Sequence, residues 1–259
     1  MVNLKSFSKL ILNKVLSKFG HEIIHSDLLS QLKKNTIIEE INSEQKKLLN
    51  NAIKYSGVGI IPTWMLINSI KYINDKKIEG DFVEAGVWRG GNLIIFKELN
   101  EKYKLNKKIY GYDTFEGMPE PSELDVKWNN ISANSISENL TKNKKDDWCK
   151  CSIENVKKNI LTVLNDLKDI NLIKGLVEET LLVEANLPKK ISLLRLDTDF
   201  YKSTKIELEV LFPRLSKGGI LIIDDYGNWK GAKKAVDEFF GDRAFLIYLD
   251  HGVRMYINQ

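Results

Sequence analysis

The stretch "DFVEAGVWRGGN", Asp81–Asn92, decides the fold. Its first half is an apolar run interrupted by one acid, Glu84, and its second half brings Gly86, Gly90 and Gly91 close together. Glycine adopts backbone angles closed to other residues, so the pattern reads as a buried strand turning sharply into a helix. Working outward, apolar and β-branched runs occur at Asp81–Val87, Lys108–Tyr112, Asn171–Leu176, Ser192–Asp197, Gly219–Ile223, Ala244–Leu249 and Val253–Ile257. Helix-length amphipathic segments lie between most of them, at 91–103, 153–168, 202–215 and 229–240. Strands alternating with helices predict a mostly parallel α/β sheet covered on both faces. Only "DHG" separates the last two strands, which is too short for a crossover and predicts an antiparallel hairpin.

Residues 1–78 read as a helical extension, which leaves 79–259 as the sheet domain. Residues 5–19 place Phe7, Leu10, Ile11, Val15 and Phe19 at helical spacing among Lys5, Lys9, Lys14 and Lys18. Such a basic amphipathic helix packs on its own domain or on a second subunit, with an anionic membrane surface as the alternative. Residues 27–56 and 62–73 also read as helices. Segment 119–148 breaks the rhythm, with few apolar residues and no clear period, and predicts a lid or an insertion beyond a strand end.

A net charge of +4 from 39 basic and 35 acidic residues is too weak to argue for nucleic acid. Cys149 and Cys151 form C-x-C with no second cysteine pair and only three histidines in the chain, which reads as two free thiols rather than a zinc site. No apolar run approaches a membrane span and nothing near the N-terminus has the order of a secretory signal, so a cytoplasmic protein is expected.

In open α/β sheets ligands bind beyond the carboxyl ends of the strands, and several of these ends carry acids. The spacing Glu84-x-Gly86-x-x-x-Gly90 differs from the G-x-G-x-x-G dinucleotide fingerprint. An acid before the first glycine suits a ligand with positive charge and repels a pyrophosphate. Asp113, in "YGYDTFEGMP", stands where a carboxylate accepts from both hydroxyls of a ribose, although a helix cap also explains it. With Glu84 beside it, an adenosine ligand bearing cationic groups, S-adenosylmethionine, fits better than NAD.

"LLRLDTDFYKST" holds Asp197 and Asp199 two residues apart, on one face of an extended chain. "GGILIIDDYGN", Gly218–Asn228, ends its apolar run in Asp224 and Asp225, and two adjacent ionised carboxylates need a cation, a proton or water to share. With the fourth and fifth strands as neighbours, four carboxylates meet at one sheet edge. Oxygen ligands without His or Cys point to a hard divalent ion such as Mg²⁺; four separately solvated acids are the other possibility.

"GDFVEAGVWRGGN", "YDTFEGMP", "LLRLDTDFYKST" and "GGILIIDDY" followed by "GAKKAVDEF" resemble the successive motifs of the macrocin O-methyltransferase family, sugar O-methyltransferases of macrolide and aminocoumarin tailoring. The resemblance spans about residues 56 to 257. It implies a Rossmann-like class I methyltransferase fold, S-adenosylmethionine as donor, a Mg²⁺-type ion and a sugar hydroxyl as acceptor. By resemblance, Glu84, Gly86 and Gly90, with Val87, Trp88 and Arg89, line the methionine end of the donor. Asp113 holds its ribose, with Thr114 and Phe115 beside it, and Ser152 lies near the adenine. Asp197, Asp224 and Asp225 match the metal ligands, and Asp197 or Asp199 is the general base. Leu176 and Val177 stand where the family usually carries aromatic residues, and the stretch around "GVGIIPTWM" also departs from it.

The implied acceptor is a nucleotide-activated sugar, a surface-glycan residue or a glycosylated natural product, and the N-terminal helices would suit a homodimer contact. A catechol-type O-methyltransferase, an NAD-dependent oxidoreductase and a non-catalytic binding protein are the rival readings. The missing fingerprint and Glu84 count against the oxidoreductase. His251, in the final hairpin, reads as a turn residue or as one that reaches the acceptor.

Overall fold

A computed structural model describes residues 39–142 and 148–259. The basic helix expected at 5–19, and the first part of the one expected at 27–56, lie outside the described residues. The chain divides into two compact units, Met1–Ile41 and Asn42–Gln259, and the fold below is that of the second.

Helix α1 (Ser43–Ala52) opens with a capping box, in which the Asn42 side chain accepts from the Gln45 N–H at 2.9 Å and Gln45 accepts from the Asn42 N–H at 3.3 Å. Helix α2 (Ile60–Asp75) buries Leu66, Ile67, Ile70 and Ile73, the spacing of one helical face. Then follow β1 (Asp81–Ala85), α3 (Gly91–Lys102), β2 (Ile109–Asp113), α4 (Ala133–Lys142), α5 (Ile153–Val163), β3 (Ile170–Lys174), α6 (Val177–Thr180) and β4 (Ile191–Leu196). The chain finishes with α7 (Tyr201–Val210), β5 (Leu215–Ile223), α8 (Lys230–Phe240), β6 (Ile247–Tyr248) and β7 (Arg254–Ile257).

The sheet runs β3-β2-β1-β4-β5-β7-β6. Its first five strands are parallel, and β7 pairs antiparallel with both β5 and β6. This is the mostly parallel seven-stranded sheet with a terminal hairpin expected from the sequence. All six residues of β4 are buried, as a strand covered on both faces requires. Strand order reverses between β1 and β4, so the crevice for a ligand lies at their carboxyl ends. Register sets Ala85 level with Leu196, and Leu196 level with Ile223, so Gly86, Asp197 and Asp224 leave the sheet together.

Several boundaries differ from expectation. Strand β1 stops at Ala85 because Gly86 turns at φ +87°, and a Cβ there would stand 1.9 Å from the Asp197 carbonyl oxygen. The helix expected at 153–168 ends at Val163, where Leu164 becomes extended. The sixth strand shrinks to Ile247–Tyr248. Segment 119–148 holds α4 and two isolated bridges, Val126 with Ser132 and Lys127 with Trp229. Its apolar residues, Ala133, Ile136 and Leu140, recur at helical spacing but are too few among polar neighbours to mark a helix from sequence. Among the described residues, no helix is long and apolar enough to cross a membrane.

Candidate active site

A cavity of about 320 Å³ opens at the switch point, lined by Gly86, Trp88, Asp113, Thr114, Asp197, Asp199, Asp224 and Asp225. Beneath it lies a residue to which the sequence analysis assigned no role. Arg195 is 2% exposed, and its Nη1 donates to Glu84 Oε1 at 2.9 Å and to Asp197 Oδ2 at 2.7 Å. Its Nη2 donates to Asp224 Oδ1 at 2.7 Å. Burial acts to discharge this guanidinium, but Asp197, Asp224 and Glu84 outweigh it and keep it charged. One cation thus joins the ends of β1, β4 and β5, and part of the repulsion inferred from sequence is relieved from inside the protein.

The relief is incomplete. Glu84, Asp197 and Asp224 share this one guanidinium, and Asp199 and Asp225 stand close by without a contact to it. Burial pushes Glu84 up to about 7 against the pull of Arg195 and Asn92, whose Nδ2 donates to Glu84 Oε1 at 2.7 Å. The second Glu84 oxygen, Oε2, is buried without a partner. Burial also raises Asp197, Asp199 and Asp225 above the usual carboxylate range; neighbouring acids add to the rise of Asp197 and Asp225, while hydrogen bonds from Asp225 and Trp229 hold Asp199 back. Asp197, Asp224 and Asp225 each offer an oxygen lying within 4.8 Å of the others, a grouping that fits one hard cation. Asp197 keeps 25% and Asp224 16% of its side chain exposed, so the group is reachable from the cavity.

Asp199 stands outside that triad. Its φ of +65° takes it off the line of β4, so the expectation of Asp197 and Asp199 on one face of an extended chain does not hold. Its Oδ1 accepts from the Trp229 indole Nε1–H at 2.5 Å, and its own N–H donates to Asp225 Oδ2 at 3.0 Å.

On the other side, Asp113 Oδ2 accepts from the Val87 and Trp88 N–H groups, both at 2.8 Å, and Oδ1 accepts from Phe115 N–H at 2.7 Å. Burial raises its pKa while these amides lower it. A carboxylate offers about four acceptor positions, so Asp113 shapes the turn after β1 and retains room for a ligand hydroxyl. The remaining residues expected around the donor are placed differently. Glu84 sits under the floor, Val87 and Phe115 are buried, and the Arg89 guanidinium stacks on the Trp88 ring at 4.4 Å. Gly90 turns at φ +91° into α3, and a Cβ there would also crowd Val156 and Ile160 of α5, so this glycine serves the turn and the helix packing. Ser152 accepts from the Asn155 N–H at 3.3 Å and caps α5. None of these six residues lines the cavity, whereas Met118, Cys149 and Asn228, unmarked in the sequence reading of the site, do.

Above the carboxylates, Trp229 and Phe200 meet edge to face at 5.4 Å, with Trp148 6.1 Å from Phe200. Ala133 and Met118 complete this apolar cluster. Asp125 fastens the segment below it, accepting from Ser122 and from the Tyr201 N–H at the start of α7.

A profile of the macrocin-O-methyltransferase (TylF) family matches residues 22–249. Demethyldecarbamoylnovobiocin O-methyltransferase of Streptomyces niveus is 27% identical over 208 residues, covering 79% of this chain and 74% of that protein. The 8-demethyl-8-(2,3-dimethoxy-alpha-L-rhamnosyl)-tetracenomycin-C 4'-O-methyltransferase of Streptomyces olivaceus is 31% identical over 153 residues, which are 58% of this chain and 54% of that protein. Among solved structures, the O-methyltransferase NovP superposes with a TM-score of 0.67 at 26% identity, covering 79% of this chain and 82% of that one. The calicheamicin methyltransferase CalS11 shares the fold, with a TM-score of 0.55 at 21% identity over 84% of this chain and 94% of its own. Sheet order, motif order and family match coincide: the chain is an O-methyltransferase and belongs to the macrocin-O-methyltransferase (TylF) family.

Proposed function

We propose that this chain transfers a methyl group from S-adenosylmethionine to a sugar hydroxyl, with a divalent cation such as Mg²⁺ at the carboxylate cluster. The observation that carries the proposal is the meeting of Asp197, Asp224 and Asp225 within 4.8 Å, in the cavity that Gly86 and Asp113 also line. Arg195 pairs with Glu84, Asp197 and Asp224 and leaves Asp225 without a cation in contact, which favours a further cation at the cluster, and an all-oxygen set favours a hard one. The three aspartates would hold the ion, and Gly86, Trp88 and Asp113 would hold the donor. A bound divalent ion lowers the pKa of an acceptor hydroxyl, and S-adenosylmethionine supplies an electrophilic methyl group.

The remaining work falls to the chain. Asp197 gives Oδ2 to Arg195 and belongs to the cluster, which leaves Asp199 to take the proton of the hydroxyl. Its raised pKa makes it a stronger base than an ordinary carboxylate, and the Trp229 indole fixes its orientation. The buried aromatic cluster around Trp229 shields the Asp199 side of the site, where charge interactions gain from the lower dielectric. A sugar acceptor is supported by the tetracenomycin relative, whose name specifies a rhamnosyl substrate; the sugar here is nucleotide-activated, part of a surface glycan or part of a natural product. The proposal includes a cytoplasmic location, in keeping with the free thiols of Cys149 and Cys151, and a homodimer formed through residues 1–78.

Excess EDTA is expected to abolish turnover and Mg²⁺ to restore it; full activity in EDTA would overturn the metal assignment. S-adenosylhomocysteine is expected to raise the melting temperature and NAD⁺ to leave it unchanged, and the reverse result removes the donor assignment. Methylation of catechols in place of glycosides would favour the catechol-type reading.

A further inference from the structure

Behind the cavity wall stands a buried acid to which the reaction above gives no role. Glu207 lies on α7 with none of its surface exposed. Its Oε1 accepts from the Thr198 hydroxyl at 2.9 Å, and its Oε2 is buried without a partner. Burial, with Glu178 adding to it, pushes this carboxyl well above the usual range, and the bond from Thr198 offsets only part of the rise. A leucine would fill the same place on the inner face of α7 with no orphaned oxygen, so packing by itself gives no reason for an acid here.

The reason lies in what Thr198 belongs to. It lines the cavity between Asp197 and Asp199, and the Phe200 N–H donates to its carbonyl at 2.7 Å. With Asp199 at φ +65° between them, that i→i+2 bond makes Thr198–Phe200 a γ-turn of the positive-φ hand, which is rare and strained. A residue with a Cβ stays in such a turn only where its surroundings over-determine it. On the cavity side, Asp225 Oδ2 and the Trp229 indole hold Asp199 itself. On the far side, α7 grips Thr198 at two points. Ser203 Oγ divides its donor between the carbonyls of Phe200 at 3.0 Å and Thr198 at 3.3 Å, while Glu207 holds the Thr198 hydroxyl. Ser203 and Glu207 are four residues apart, so one face of one helix reaches both the main chain and the side chain of Thr198. Both are buried, so water does not compete for these bonds.

We propose that Glu207 is a positioning residue, which with Ser203 clamps the strained Thr198–Phe200 turn to α7 and so fixes the direction in which Asp199 faces the cavity. The proposal rests on the reading of Asp199 as the base and deepens it by naming the groups that aim it. Glu207 touches neither the cavity nor the reacting atoms, and its effect reaches them through Thr198.

Trp229 reports on the turn directly, because its indole N–H is donated to Asp199. The chain has five tryptophans, so the indole N–H resonances are few and Trp229→Phe assigns the one bound to Asp199. In the full-length protein, Glu207→Leu is expected to move that resonance out of its hydrogen-bonded, downfield position and to speed its exchange with solvent about tenfold. Its melting temperature is expected to hold or rise, since an orphaned buried oxygen is removed. Thr198→Val breaks the same bond from the other side and is expected to give the same shift, with nothing further in the double variant. Glu207→Gln keeps an acceptor for Thr198 and is expected to leave the resonance in place. With methyl α-L-rhamnopyranoside and methyl β-D-glucopyranoside as acceptors, Glu207→Leu is expected to lower kcat about tenfold for whichever is methylated, with the KM for S-adenosylmethionine changed less than about threefold. An unmoved resonance in both Glu207→Leu and Thr198→Val overturns the clamp and leaves the methyltransferase proposal standing. A shift in Glu207→Gln as large as that in Glu207→Leu also overturns it, because packing would then be the cause. Failure of the parent enzyme to methylate either glycoside, with the indole resonance responding as expected, overturns the sugar acceptor and leaves the clamp.

Discussion

At the floor of the cavity, Arg195 and its carboxylates stand at the ends of β1, β4 and β5 and are held together by charge. The segment above reaches the same place through Ala133, Met118 and Trp148 packed on Phe200 and Trp229. The floor takes its geometry from strand register, which is rigid, and the roof takes its geometry from loop side chains that repack. Charges buried in pairs are severe when broken, because the remaining partner has no water to turn to. Apolar contacts on a half-exposed segment fail by degrees. The contrast separates a part that must not move, the metal and donor side, from a part suited to vary with the acceptor.

Breaking the floor should give the largest effect. Arg195→Met leaves Glu84, Asp197 and Asp224 without their guanidinium and should cost about 3–5 kcal/mol, a fall in melting temperature of roughly 10 °C, with Arg195→Lys recovering part of it. Calorimetry checks this, and a variant as stable as the parent would show that the network is not the keystone of the floor. Asp225→Asn should lower kcat by about a hundredfold or more and weaken Mn²⁺ binding in a titration, since it removes the most buried member of the cluster.

The floor should also respond to pH in a defined direction. Glu84 is raised from 4.5 to about 7 by burial, so the folded state binds more protons than the unfolded state across that window. The contribution of this group to stability without metal is therefore fully present below about pH 4.5 and is lost as pH rises through about 7, by roughly 3 kcal/mol. Asp197 and Asp225, raised in the same direction, release protons when an ion binds, so Mg²⁺ affinity rises with pH. Melting curves in EDTA and in Mg²⁺ across this range should diverge as pH increases.

Smaller effects belong to the roof. Trp229→Phe keeps a ring in the cluster but removes the indole donor to Asp199, and should cost about tenfold in kcat with little change in melting temperature. Trp148→Ala should cost about 1 kcal/mol of stability and raise the acceptor KM a few fold. If it destabilised the protein as strongly as Arg195→Met, the distinction between floor and roof would fall.

Local pattern made much of the architecture legible. The strand runs, the hairpin across Asp250–Gly252 and the acids at the strand ends all follow from neighbours in the chain. Asp224 and Asp225 were suspect from the sequence because two like charges end an apolar run. Arg195 was equally visible, a lone cation in the buried run "ISLLRLD", and two residues before Asp197 it had to share that residue's face. Its link to Glu84 and Asp224 was not visible, because those contacts depend on the pairing of β4 with β1 and β5. Helix α4 is hard to read because three apolar residues, Ala133, Ile136 and Leu140, stand alone in a long polar stretch.

By itself, then, the sequence determined that this is a mostly parallel sheet with acids gathered at its ligand-binding edge, since hydrophobic period and turn residues are properties of short stretches. Only the tertiary structure decided how those acids divide their work. Glu84 is held under the floor by Arg195, Asp197 joins Asp224 and Asp225 in the triad, and Asp199 lines the same cavity with its carboxylate oriented by Trp229. The physical reason is that charge interactions in a buried site are fixed by distances of a few ångströms between strands far apart in the chain, and no local pattern encodes them.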